Sequence, residues 1–150
     1  MARYGISTWI ARDVASDTAV ELIASNGFRQ VEISAPASRL VQEWEREPEG
    51  VGRRLAAAGL EVLQIHNPEA GRSLDALDES LRRVSVAANV AYLDLTRRAG
   101  ARWLVVHPTG AKDDAPGAAP ATRQARTLES LKTLAEEAAR RGVGLAVENM

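Results

Sequence analysis

The chain contains two histidines, and each stands seven residues after a glycine: Gly59 leads to His66 and Gly100 to His107. From Gly142 the same offset reaches Asn149, with Glu148 just before it, and from Gly27 it reaches Ser34, two positions beyond Glu32. Imidazole and carboxylate are the side chains that ligate divalent ions and move protons near neutral pH. If equivalent positions mean equivalent places in space, Glu32, His66, His107 and Glu148 form one ring suited to a metal and to proton transfer.

The segments around these residues repeat one order: helix, glycine, apolar strand, polar tip. They read IASNGFRQVEIS (23–34), LAAAGLEVLQIH (55–66), RRAGARWLVVH (97–107) and EAARRGVGLAVEN (137–149). A glycine after each helical run suits the left-handed residue that ends a helix. With YGIST (4–8) as an opening strand, the pattern gives five strands and four intervening helices. The first helix covers 17–25 with Asp17 as N-cap, and the second covers about 48–58 with Pro48 in its first turn. A long third helix carries Leu74, Leu77, Leu81, Val84, Ala88, Ala91 and Leu95 at i+3/i+4 spacing. The fourth spans about 122–140, with Leu128, Leu131, Ala135 and Ala138 on its inner face.

Strands alternating with helices at this spacing predict an α/β fold of right-handed βαβ units around a parallel sheet. Apolar runs such as WLVV and VLQI suit strands covered on both faces. An open doubly wound sheet and a closed (β/α)8 barrel both use such units, and both place function at the carboxyl ends of the strands. No glycine-rich phosphate loop follows the first strand, since STWIARDVASD lacks glycine.

Composition narrows the function classes. The chain has 150 residues, 45% of them apolar, a net charge of −1 and no cysteine. The charge argues against nucleic acid as a partner, and the missing cysteine excludes disulfides and thiolate chemistry. MARYGISTWIARD lacks the order of a signal peptide, and no apolar run approaches the ~20 residues that span a bilayer. The expectation is a soluble cytoplasmic domain that binds no membrane.

HNP after the third strand, VVHPTG after the fourth and AVENM after the fifth resemble the sugar phosphate isomerase/epimerase family, the xylose isomerase-like TIM barrels. Their relatives include inosose dehydratases and metal-dependent abasic-site endonucleases. The resemblance runs over 1–150 and rests on the order of these motifs, one per strand. It implies that Glu148 ligates a divalent ion (Mn2+, Mg2+, Co2+ or Zn2+) and takes part in proton transfer beside a sugar carbonyl, through an enediolate. It implies that His66 and His107 line the substrate pocket in isomerases and bind metal in the endonuclease branch. Glu32 matches the strand-two acid, with a structural or substrate-facing role. The family's remaining ligands come from strands six, seven and eight.

The chain is therefore expected to hold the first four and a half units of an eight-unit barrel, strands one to five and helices one to four, and to be catalytically silent alone. The implied activity is a metal-dependent sugar isomerase or epimerase. The alternatives are a non-catalytic half-barrel and an endonuclease-like metal hydrolase. An open edge strand predicts a homo-oligomer or a complementing C-terminal half as partner, beside the small-molecule sugar.

Other residues bear on such a site. Trp9, in the loop after the first strand, offers an indole face for stacking on a sugar. Asn67 and Asn149 are placed to hydrogen-bond substrate hydroxyls. Trp103 is expected in the core at the stability face, and Trp44, among the charges of QEWERE, as a partly exposed anchor. The stretch 108–122 reads equally as a lid or as a plain connection, and Lys112 and Arg72 as solvated bases or phosphate contacts.

Overall fold

The computed structural model describes residues 4–34, 38–67, 73–108 and 117–148. Within them β1 (Gly5–Ser7), β2 (Gln30–Ile33), β3 (Glu61–His66), β4 (Trp103–Val106) and β5 (Gly144–Val147) pair in sequence order, every pair parallel. They are linked by α1 (Ser16–Ser25), α2 (Arg39–Arg46), α3 (Pro48–Ala57), α4 (Glu79–Arg98) and α5 (Pro120–Arg141), and a 3-10 turn covers Thr8–Ala11. Parallel strands need a crossover, and helices supply all four, α2 and α3 sharing the one between β2 and β3. The four glycines of the repeat all have positive φ, between 66° and 83°. At Gly142 the left-handed geometry closes α5, its N–H reaching back to the Ala138 and Ala139 carbonyls.

The core lies between the sheet and the helices. Val31, Ile33, Val62, Ile65, Leu104 and Val106 enter it from the strands, and Val20, Ile23, Leu55, Leu93 and Ala138 from the helices. Alternation along each strand sends Glu32, Gln64, His66, Trp103 and Val105 to the other face.

One irregularity decides where His66 points. The β2–β3 register runs Val31↔Val62 and then Glu32↔Gln64, so Leu63 is an extra residue on β3. Val62 and Ile65, an odd number of positions apart, both reach the core because the bulge shifts the alternation between them. Gln64 and His66 consequently share the face of Glu32.

The expected helices exist, but several details differ. The β2–β3 connection carries two helices, not one. α2 is capped by Ser38, whose side chain accepts the Val41 N–H at 3.2 Å. Its Leu40, Val41 and Trp44 turn inward, and Trp44 is completely buried, stacked on Tyr92 at 5.8 Å between ring centroids. The surrounding charges concealed that face. α1 starts at Ser16, so Asp17 lies in the first turn and does not cap it.

In α4 the apolar stripe expected from the sequence is not the buried one. The helix begins after Asp78, which caps the Ser80 and Leu81 N–H groups, and it buries Ser85, Asn89, Leu93 and Thr96. Val84 is 64% exposed. The period is right and the phase is wrong by one residue, about 100° of rotation. Polar groups occupy the inner face at low cost because Ser85, Asn89 and Thr96 bond back to carbonyls four residues earlier. α5 likewise buries Ser130, Leu134 and Ala138 and leaves Leu128 exposed.

Trp103 is also corrected. It is 48% exposed on the face opposite the core, and a Cβ at Gly144 of β5 would overlap its indole. Glycine lets the ring lie against the neighbouring strand.

Candidate metal centre

His66 is the last residue of β3, while His107 and Glu148 are the first residues beyond β4 and β5. The register sets Val106 beside Val147, so His107 and Glu148 share the next rung, and His66 pairs two rungs lower with Val105. The Glu148 N–H donates to the Val106 carbonyl at 3.0 Å, fixing the strand exit.

The three side chains converge. His66 Nε2 lies 2.8 Å from His107 Nε2 and 3.3 Å from Glu148 Oε2, and His107 Nε2 lies 2.9 Å from the same oxygen. His107 is 4% exposed and Glu148 46%, so the cluster has a buried floor and an open mouth.

These distances test whether the residues suit an ion. Two ligands at about 2.1 Å from a metal, subtending roughly 90–110°, sit about 3.0–3.4 Å apart. The observed triangle is close to that. A neutral imidazole nitrogen carries either a proton or a lone pair, and one proton cannot serve three facing acceptors. A shared cation resolves the arrangement, and His, His and Glu are a donor set for Zn2+ or another borderline to hard divalent ion. The residues fit the metal that the family resemblance implies.

A support lies behind His66. Glu32 Oε2 is 3.4 Å from His66 Nδ1 and accepts the Gln64 side-chain N–H. Burial pushes the Glu32 carboxyl up, but hydrogen bonds from His66, Gln64 and Ser7, with the imidazole charge, outweigh it and hold the group below its ordinary value. Ser7, Glu32 and Gln64 line one hollow beside the cluster.

The sequence-derived residues thus separate. Glu32, His66, His107 and Glu148 assemble. Trp9 sits in the 3-10 turn, half exposed, with the Arg12 guanidinium 5.4 Å over its ring and its backbone N–H donated to the Ser7 hydroxyl. Asn67 is 3% exposed and donates its amide to Asn89 of α4. Asn149, Lys112 and Arg72 fall outside the described residues. Gln64 and Ser7 escaped the sequence reading. For Gln64 the available signal was its i−2 position to His66 on the same strand.

A family model described as xylose isomerase-like TIM barrel matches residues 20–150. The chain belongs to that family. Five parallel strands and their helices form part of such a barrel. The fold is similar to that of D-psicose 3-epimerase from Clostridium cellulolyticum H10, solved with D-tagatose (TM-score 0.77, 18% identity, 99% of this chain and 53% of that one). It is also similar to L-ribulose 3-epimerase (0.71, 23%, 98% and 49%). A third likeness is to the IOLI protein, solved with a zinc atom (0.78, 13%, 97% and 51%). The chain spans about half the length of these structures. At such identities the likeness is one of fold. No curated protein matches the sequence. Among the described residues of this xylose isomerase-like chain, no helix is long and apolar enough to cross a membrane.

Proposed function

We propose that these five strands build the metal-holding part of a sugar isomerase or epimerase rim. The observation that carries the reading is the convergence of His66, His107 and Glu148 on one point at the carboxyl ends of adjacent strands. Epimerases acting on ketoses among proteins of the same fold support the substrate class. When bound, a divalent ion such as Mn2+, Mg2+, Co2+ or Zn2+ lowers the cost of negative charge on a sugar carbonyl oxygen.

The chain's own residues supply the rest. Glu148 is open at its mouth side, so its carboxylate can hold a proton taken from the carbon beside the carbonyl. His107, buried, keeps its ring fixed against Glu148. Trp9 offers an indole face to a sugar ring. The full reaction belongs to a complete rim, with a second carboxylate and further ligands from strands beyond these five, in the same polypeptide, a complementing half or a second copy.

The test is paramagnetic. Mn2+ is titrated into the 150-residue chain with D-psicose, D-tagatose or L-ribulose, and sugar proton relaxation is read by NMR. The expected result is broadening beyond that of free Mn2+, strongest near the carbonyl and absent in Glu148→Gln. Mn2+ bound at the cluster with no effect on any ketose overturns the reading.

A second reading has one observation in its favour: both imidazoles aim Nε2 at the shared point, as the endonuclease branch would use them. The net charge of −1 opposes it, since phosphodiester substrates favour a basic face. Incision of abasic-site duplex DNA by the metal-loaded chain would establish it in place of the first.

A further inference from the structure

We propose that Glu32 is the positioning residue of the cluster, the group that fixes His66 in one tautomer, rather than a substrate contact. The inference rests on the metal reading above and concerns how that site is kept ready.

Glu32 stands between Ser7 on β1 and Gln64 on β3, directly opposite both, on the sheet face of His66. Three groups surround its carboxylate. Gln64 donates its side-chain N–H to Oε2, His66 Nδ1 lies 3.4 Å from that same Oε2, and Ser7 faces Glu32 across the ladder from β1. The Ser7 hydroxyl in turn accepts the Trp9 backbone N–H at 3.3 Å in the turn after β1. A carboxylate so held presents only acceptor oxygen to His66.

A neutral imidazole has one N–H, and beside that oxygen it resides on Nδ1. Nε2 then has a bare lone pair, directed at the point where His107 Nε2 and Glu148 Oε2 also converge. A carboxylate on the outer nitrogen also makes the imidazole a better donor and stops the ring from flipping. His107 provides the contrast: its Nδ1 is buried and has no hydrogen-bond partner among the described residues. The device therefore serves one histidine of the two, and the Leu63 bulge brings it into register.

The experiment uses the 150-residue chain with 15N-labelled histidine. Long-range 1H–15N spectra of the metal-free protein read each ring's tautomer, and calorimetry reads Zn2+ affinity. Wild type is expected to show His66 protonated on Nδ1. Glu32→Ala is expected to give mixed His66 tautomers, unchanged His107 signals and Zn2+ binding weaker by about 10–100-fold. Glu32→Gln, which keeps the side-chain shape, is the second variant should the alanine protein lose its fold. An unchanged His66 tautomer with unchanged Zn2+ affinity in both variants overturns the assignment. A wild type that binds no Zn2+ while its His66 tautomer still depends on Glu32 overturns the metal reading and leaves the positioning role standing.

Discussion

His107 and Glu148 stand on one rung of adjacent parallel strands, with 2.9 Å between Nε2 and Oε2. Nothing local in either segment produces that contact. It follows from the β4–β5 register, which sets Val106 beside Val147 so that the first residue beyond each strand faces the other. His66 joins from two rungs lower, and the longer reach across β4 accounts for its wider 3.3 Å separation from Glu148.

Removing a ligand is therefore expected to act on the ion before anything else. His107→Ala, His66→Ala and Glu148→Gln should each weaken Zn2+ or Mn2+ binding by more than the roughly 10–100-fold typical of a group that only orients a ligand. Calorimetric titration of the four proteins checks this. Far-UV circular dichroism of the metal-free variants should stay close to wild type, because two of the three residues lie beyond the strand ends.

Gly144 is expected to be intolerant of a side chain. Gly144→Ala places a methyl in the Trp103 indole, and overpacking of this kind costs about 1–3 kcal/mol. Urea unfolding measures it. Trp103→Ala in the same chain should recover most of the loss, since the three atoms nearest a Cβ at Gly144 all belong to that indole.

Asn67 and Asn89 should behave as a coupled pair. Asn89→Ala removes the acceptor of the buried Asn67 amide, whose own Oδ1 has no hydrogen-bond partner among the described residues. An orphaned buried donor costs roughly 1–3 kcal/mol. The double variant Asn67→Ala/Asn89→Ala is expected to cost less than the sum of the single ones, by about 0.5–3 kcal/mol in a thermodynamic cycle.

Glu43 predicts part of the acid limb of stability. It accepts from Ser16 of α1 and from Arg54 of α3, each at 2.6 Å, joining three helices. The Ser16 hydroxyl and then the Arg54 guanidinium hold its carboxyl below the ordinary value of 4.5 despite partial burial. A depressed carboxyl is ionised in the fold at pH values where the unfolded chain is protonated. Its contribution is therefore complete above about pH 4.5 and disappears as the pH falls through the folded value. Glu43→Gln should flatten that limb and cost about 0.5–1 kcal/mol at pH 7, solvent screening included. Thermal melts between pH 3 and pH 7 test the slope.

The tips of the strands were legible in the sequence because glycine, apolar run and polar exit recur in register with the fold. The same periodicity could not give the phase of α4. Its inner face is Ser85, Asn89 and Thr96, residues that satisfy their own polarity within the helix and so look like an outer surface. Trp44 was hidden by the opposite effect, since charged neighbours at i±1 belong to the far side of a helix. Trp103 reads as core on a strand, but its ring lies on the face away from the core because Gly144 leaves room for it. Glu32 was visible as an acid at a tip. Its partners were not, because Leu63 changes which β3 residues it meets.

That extra residue makes the facing of His66 a matter of strand geometry rather than of composition. If β3 kept its length but ran straight, with Leu63 opposite Glu32, every ligand would remain in the sequence, yet His66 would turn toward the helices and Ile65 toward the rim. Deleting Leu63 would instead remove the bulge and leave Gln64 and His66 facing as they do. The even spacing from Val62 to His66 thus marks a ligand only together with the kink between them.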